Sequence, residues 1–382
     1  MKVGIVMPLG IQMGGGEKML PDLLENAQGE GIDWIVFFLQ DGPLVEQCRA
    51  LGAEVCVVPS GRLREIHKLY GAVRYIEQSI RKKGIDVVVS WMWNAHFRGG
   101  MAAWLAGIPA FWYNLDHPNA DTLLRRLVNL IPAKGVLTLS RADYDKQKQL
   151  MPNKPAGLIY PGVDLERFQS AILPSPEAVR KKLGLPTTGP LIGIVGRMQR
   201  WKGIHVLLDA MPHVLEQYPD ANCVVVGDRH DLEAEYHDYL FQRINELGIK
   251  EKVHMVGQQQ NVPEWTQAMD IVVHASDDEP FGIVVIEAMA LGKPLVAGAN
   301  GGPTEIMTDG VNGLLSPYGD EIQLSQKILR YLDDPSFAKQ MGAAARQRAH
   351  DFSTKQYARN FIMVLQNMCS VPTKKLISHI SH

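Results

Sequence analysis

Residues 277–303 read DDEPFGIVVIEAMALGKPLVAGANGGP, and two carboxylates in this stretch, Glu279 and Glu287, stand eight positions apart. Between them Pro280-Phe281-Gly282 gives way to the apolar run Ile283-Val284-Val285-Ile286. A turn followed by an apolar, Ala-rich helix is the natural reading, with Gly292 and Pro294 stopping the helix. Glu279 then falls in the loop, and Glu287 lies about two turns further on at roughly 1.5 Å per residue. The first N–H groups of a helix have no internal partner, so those around Phe281, Gly282, Ile283 and Val284 are open. Open donors at the positive end of a helix suit a phosphate, and a carboxylate on either side suits hydroxyl-rich groups. The bland alternative is a capped helix with a solvated glutamate at each end.

Written as E-P-F-G-x-x-x-x-E-A-M-A-x-G-K-P, the stretch resembles the E-x7-E signature of the family-4 retaining glycosyltransferases of GT-B fold. The match continues through Gly301-Gly302-Pro303-x-Glu305 and Asp309-Gly310-x-x-Gly313. The resemblance implies an α/β protein of two Rossmann-like, doubly wound domains facing across a cleft, with a C-terminal helix crossing back to the first. It implies that Glu279 faces the donor sugar and that Glu287 binds the nucleotide ribose.

Upstream, residues 191–196 read as a strand that runs into Arg197-Met198-Gln199-Arg200-Trp201-Lys202-Gly203. An Arg offers a planar donor fork and a Lys a mobile point charge, so the pair suits a diphosphate; a solvated basic turn is the alternative. The similarity to the family's G-R-x-x-x-x-K-G implies that Arg197 and Lys202 neutralise the leaving nucleotide. Arg200 and Trp201 have no assigned role. After the strand 223–227, Asp228-Arg229-His230 stands where many relatives have a further glycine. The end of the strand 253–257, from Gly257 through Val262, is expected to hold the base through main-chain groups. The basic pair takes the place of a cation, so no metal and no cofactor is expected.

The first half alternates in the same manner. Residues 3–8 read as a buried parallel strand, followed by Gly14-Gly15-Gly16 and a helix over 17–28. Glycines there let backbone approach a ligand, although neither G-x-G-x-x-G nor the Walker pattern is present. Gly15 and Gly16 followed by Glu17 match a glycine pair and Glu of the resembled family, which implies donor contact. Strands are expected over 34–40, 54–58, 86–91, 110–114 and 135–140, with helices over 43–51, 66–83 and 97–106. That alternation argues for a doubly wound parallel sheet, whose ligands sit beyond the carboxyl ends of the strands. Asn94, His96 and Asp116-His117-Pro118 all fall just past strand ends. The family carries a histidine near this point that contacts the donor sugar, usually in the order His-Asp. Here the order is Asp116-His117, and His117 is taken for that residue, with His96 as the second candidate.

Residues 158–164 match the last stretch of the family's first domain. The expected division is 1–169 for an acceptor-side domain, 170–190 for a linker richer in Pro, Ser and Thr, and 191–353 for a donor domain. The terminal piece, 354–382, is expected to pack back on the first domain, with Tyr357, Phe361, Val364 and Leu365 on one face and a loose polar tail after Val371.

The bulk numbers fit this. A chain of 382 residues holds two or three cores, and 46% hydrophobic with 21% charged residues is ordinary for a globular protein. A net charge of −2 gives no field to recruit nucleic acid. Four cysteines form no C-x-x-C pair, which fits a reducing compartment. Met1-Lys2 leads straight into a strand, and no apolar run reaches the length of a membrane span, so a cytoplasmic protein is expected. The partners are a nucleotide-sugar donor, linked to UDP, GDP or ADP, and a glycan, lipid or small-molecule acceptor. Residues 123–131, LLRRLVNLI, admit two readings: a basic amphipathic stretch lying peripherally on an anionic membrane, or a core-facing helix with a charged outer edge. Rival functions are an epimerase of the same fold, a non-catalytic nucleotide-sugar-binding protein, and a two-lobed periplasmic-type binding protein, which gives no reason for the Glu pair.

Overall fold

The computed structural model describes residues 1–12, 14–230 and 233–370. Its first compact unit is Met1–Gly162 together with the chain from Thr354, and its second is Val163–Ser353.

In the first unit, strands β1 (Lys2–Met7), β2 (Asp33–Phe38), β3 (Glu54–Val57), β4 (Val87–Trp91), β5 (Ala110–Tyr113), β6 (Gly135–Thr138) and β7 (Ala156–Leu158) alternate with six helices. These are α1 (Gly15–Asn26), α2 (Pro43–Ala50), α3 (Ile66–Lys83), α4 (Trp93–Ala106), α5 (Leu123–Leu130) and α6 (Arg141–Leu150). The seven strands are parallel, in the order β3-β2-β1-β4-β5-β6-β7. Near-continuous apolar runs such as Val87-Val88-Val89 follow from burial on both faces.

The second unit opens with α7 (Pro176–Leu183). Six strands follow, β8 (Leu191–Val195), β9 (Asn222–Val226), β10 (Val253–Met255), β11 (Ile271–His274), β12 (Leu295–Gly298) and β13 (Leu314–Ser316). Between and after them come α8 (Ile204–Gln217), α9 (Ala234–Glu246), α10 (Val262–Ala268), α11 (Ile283–Ala290), α12 (Pro303–Ile306), α13 (Glu321–Asp333) and α14 (Pro335–Ala349). The order is β10-β9-β8-β11-β12-β13, again all parallel. The chain then returns to the first unit as α15 (Thr354–Ser370). There Phe361 is fully buried against Tyr113, Trp91 and Trp34. Residues 371–382, the expected tail, lie outside the described residues.

Each sheet therefore has one place where the strand order turns back, β1/β4 in the first and β8/β11 in the second, and such places are where doubly wound sheets bind ligands.

One expectation needs correction. Helix α4 begins at Trp93, not Phe97, because the chain turns out of β4 in a single residue. Met92 takes φ +67°, a left-handed value unusual for a bulky side chain, and its N–H is held by Tyr113 O at 2.9 Å. Asn94 and His96 thus lie in the first turn of a helix, not in a loop. The matched segment 158–164 begins at the last residue of β7, Leu158, and Val163 beyond it pairs with Ser353. The segment 170–190 carries α7 (Pro176–Leu183). Its α7 packs on α10, and buried Arg180 binds Ala268 O at 2.7 Å and Asp270 at 2.6 Å.

Candidate active site

The loop after β8 is built to approach β11. Gly196 N–H is bound by Val226 O and Met198 N–H by Asp228 O, both at 2.9 Å, and Met198 is buried. A single 3-10 turn, Arg200–Lys202, ends at Gly203, whose φ is +69°. A Cβ at Gly203 would stand 1.9 Å from Ala275 O, so only glycine fits where this loop crosses the end of β11. Asp277 N–H donates to Trp201 O at 2.8 Å and ties the two loops together.

Their shared centre is Glu279. Its Oε2 accepts from Lys202 Nζ at 2.5 Å and lies 3.1 Å from His274 Nε2, with Ser276 Oγ 3.2 Å from that same nitrogen. Lys202 rests its ammonium 3.9 Å from the centre of the Trp201 ring. Burial, the largest single influence, pushes the Glu279 carboxyl up. The Lys202 charge and the His274 hydrogen bond outweigh it and hold the carboxyl well below the usual carboxylate range. Arg197 is half-buried, and its guanidinium has no hydrogen bond or ion pair among the described residues.

The helix side of the loop is equally constrained. Gly302 N–H donates to Glu279 O at 2.8 Å. A Cβ at Gly301 would meet Glu279 O at 2.3 Å, and one at Gly302 would meet Phe281 Cα at 2.2 Å. The Gly-Gly-Pro run is thus small because it lies under the Glu279 loop. Phe281 is buried edge-on to Phe352. Gly282, at φ +103°, caps α11, and its carbonyl first accepts from Val285 and Ile286. The N–H groups of Ile283 and Val284 therefore stay outside the helix ladder. Glu287 sits in the second turn of α11 and is buried. Gly257, at φ +69°, follows β10 and its carbonyl accepts from Gly227 N–H at 2.9 Å, while Val262 opens α10.

In the first unit, Gly15 and Gly16 open α1, and Glu17 reaches back to accept from Gly14 N–H at 2.8 Å. Gly16 O accepts from Trp91 Nε1 at 3.0 Å, which places the glycine loop at the β1/β4 turn-back. His117 Nδ1 lies 2.7 Å from Asp143 Oδ1, and Asp143 is buried in the first turn of α6, where its N–H donates to Ser140 Oγ. Asp116 pairs instead with Arg125 at 3.2 Å. His96 is a core residue. It is fully buried, stacks on Trp112 with ring centres 5.9 Å apart, and lies 3.1 Å from Ser90 Oγ. Burial, with the nearby Lys154 charge, lowers its pKa to about 3.

Sequence reasoning missed His274 and Ser276; the available signal was a polar pair at the mouth of an apolar strand, five and three residues before Glu279. It also missed Asp143, which with Asp145 forms an Asp-x-Asp triplet. Residues two apart on a helix do not share a face; Asp143 is buried on His117 and Asp145 is exposed. Among the described residues no group of three His, Cys, Asp or Glu is placed to hold a metal ion. Arg200 gains a role in the fold: it stacks over Tyr239 at 4.8 Å and Tyr236 at 5.1 Å, and its N–H is held by Glu233.

Residues 13–167 match the family model described as Glycosyltransferase Family 4, and residues 175–348 the one described as Glycosyl transferases group 1. Over 219 residues, 56% of this chain and 52% of the relative, the sequence is 31% identical to a D-inositol 3-phosphate glycosyltransferase of Corynebacterium urealyticum. It is 28% identical over 217 residues, 56% of this chain and 61% of the relative, to the lipopolysaccharide core biosynthesis mannosyltransferase LpsB of Rhizobium meliloti. The chain thus spans little more than half the length of these curated relatives. Among solved structures, HepE of Anabaena in complex with UDP and glucose superposes with a TM-score of 0.84 at 26% identity, covering 96% of this chain and 100% of that one.

Proposed function

The chain belongs to the family-4 glycosyltransferases of GT-B fold, and from that premise we propose that it moves a sugar from a nucleoside-diphosphate sugar to a hydroxyl acceptor, with retention at the anomeric carbon. The observation that carries the reading is the cluster at the β8/β11 turn-back: Lys202 and His274 on Glu279, an Arg197 with no partner among the described residues, and two N–H groups at the start of α11 outside its ladder. Arg197, Lys202 and those N–H groups take the diphosphate and stabilise the charge that grows on it as the sugar leaves. A carboxylate held well below its usual range is a weak proton acceptor, so Glu279 suits hydrogen-bonding to sugar hydroxyls better than acting as a base. Glu287 takes the ribose, and main chain from Gly257 to Val262 takes the base. His117, held by Asp143, is kept as the histidine that meets the sugar on the strength of its resemblance. The positive groups replace a cation, so the reaction proposed is metal-independent. The four cysteines are free, and the compartment proposed is the cytoplasm. The acceptor class is a glycan, a lipid or a small molecule.

The test is a thermal-shift panel of UDP, GDP, ADP and their sugars, with UDP-glucose first because HepE of Anabaena was crystallised with UDP and glucose. A ligand at 100 times its dissociation constant adds about 2.7 kcal/mol to stability. The stabilising donor is then incubated with candidate acceptors, with and without EDTA. Transfer that survives EDTA supports the reading. An isomerised nucleotide-sugar appearing without any acceptor overturns transfer, and activity lost to EDTA and restored by magnesium or manganese overturns metal independence.

A further inference from the structure

Helix α5 is turned the wrong way for a core helix. At 3.6 residues per turn, Leu123, Leu124, Leu127 and Leu130 fall on one face, and that face points outward: they are 72%, 41%, 41% and 78% exposed. Only Val128 of this helix is buried. The polar side does the inward packing, with the Arg125 guanidinium 4.9 Å from the centre of the Trp93 ring and bound to Asp116. The reading of 123–131 as a helix whose leucines face the core is therefore overturned.

The leucine row does not end with α5. Leu130 and Trp104, the latter 61% exposed at the end of α4, line one groove of about 490 Å³ that also takes in Lys134 and Lys154. Leu105 carries the surface on to α3, since its carbonyl accepts from Arg81 Nη2 at 2.7 Å. There Arg81, Lys82 and Lys83 end the helix. Two of the nearby acids are engaged, Glu77 by Arg81 and Glu54 by Lys83, and Asp121 stands exposed just before α5. Arg126 stands exposed on the flank of the leucine face. An apolar strip with a tryptophan and a basic border is unlike the scattered apolar residues of an ordinary surface. No described helix is long and apolar enough to cross a membrane.

We propose that this face of the first unit, α5 with the end of α4, docks on an anionic lipid surface, the leucines and Trp104 entering the boundary of headgroup and acyl chain while the exposed Arg126 and Lys82 meet lipid phosphates. Arg126 and Lys82, both exposed, select this occupant over a neutral protein partner or a second copy of the chain, either of which would have to cover like charges. The proposal does not depend on the glycosyltransferase reading.

The full chain is sedimented with vesicles of phosphatidylcholine alone and of phosphatidylcholine mixed with phosphatidylglycerol, at low and high salt. The expected result is binding to the anionic vesicles, weakened by salt, and little to the neutral ones. Leu127→Ser with Leu130→Ser removes only outward side chains, so its melting temperature should match the wild type while its partition falls about tenfold or more. Arg126→Glu with Lys82→Glu should reduce the preference for anionic lipid with the leucines intact. No wild-type binding to anionic vesicles at low salt overturns the proposal, and so does a leucine variant that binds as the wild type does. A dimer in solution that Leu130→Ser dissociates assigns the face to a second copy and overturns it as well.

Discussion

The turn-back of the second sheet and that of the first have the same topology and opposite furnishing. At β8/β11 Lys202 from the loop after β8 and His274 from the end of β11 converge on a single carboxylate oxygen, and Gly203, Gly301 and Gly302 let backbone close to a distance no other residue allows. At β1/β4 there is a glycine loop capped by its own Glu17, a strained turn at Met92, and one histidine on a buried aspartate. In the function proposed, recognising a diphosphate imposes a fixed set of charges and donors, for which the second crevice is the candidate. Recognising a hydroxyl acceptor would impose much less, and the first crevice would be free to differ.

The substitution that should break this contrast most visibly is Glu279→Gln. It removes the charge that Lys202 and His274 share, at the place where the sugar changes during transfer, and kcat should fall about 100-fold or more. The affinity of free nucleotide should hardly move. Steady-state kinetics beside calorimetry decides it; weakened nucleotide with kcat preserved would mean that the two ends of the donor are exchanged.

Arg197→Ala and Lys202→Ala come next. Each loses a charged hydrogen bond worth about 1.5–3 kcal/mol, or roughly 10- to 150-fold in nucleoside diphosphate affinity. The structure separates them. Arg197 has no hydrogen bond or ion pair among the described residues, so its variant should melt with the wild type, whereas Lys202→Ala leaves Glu279 without its ammonium and should melt lower. Wild-type nucleotide affinity in both would move the diphosphate elsewhere. Glu287→Gln is smaller again. In the function proposed it holds the ribose, which the reaction leaves unchanged, so KM should rise about tenfold with kcat nearly kept.

How far the sequence could be read follows the same division. Alternating apolar runs exposed both parallel sheets, and the stretch from Glu279 to Pro303 exposed the second crevice, because glycines forced by close backbone approach leave a spacing in the chain. His274 left no such trace: as the last residue of Ile271–His274 it reads as one more strand position, and only the fold brings it to Glu279. Asp143 lies 26 residues from His117, too far for any local pattern. Strand β13 has three residues and no periodicity to detect. Helix α5 misled for a physical reason. Periodicity shows that one face is apolar, but not which way that face turns, and Trp93 offers Arg125 a better inward partner than a leucine would be.

The last prediction concerns the two histidines of the first crevice, which sequence position could not tell apart. His96 has its pKa lowered from 6.5 to about 3, chiefly by burial and then by the charge of Lys154, against a smaller opposing pull from a backbone hydrogen bond at Ile131. Above the ordinary histidine value the ring is neutral in both folded and unfolded chains, so it contributes no pH dependence there. Between about 6.5 and 3 the unfolded chain takes up a proton that the folded one refuses, and stability falls as pH falls, by about 1.4 kcal/mol per unit well inside that window. His96→Gln removes the titrating group. Its side chain can still reach Ser90, so the variant should fold, and its loss of stability from pH 7 to pH 5 should be about 2 kcal/mol smaller than that of the wild type. Denaturant unfolding at the two pH values measures this directly. Equal losses in the two proteins would mean that the ring takes up its proton in the folded state. His96 would then be open to water and ligand at the β1/β4 turn-back, and the first crevice would hold two histidines able to meet a substrate rather than His117 alone.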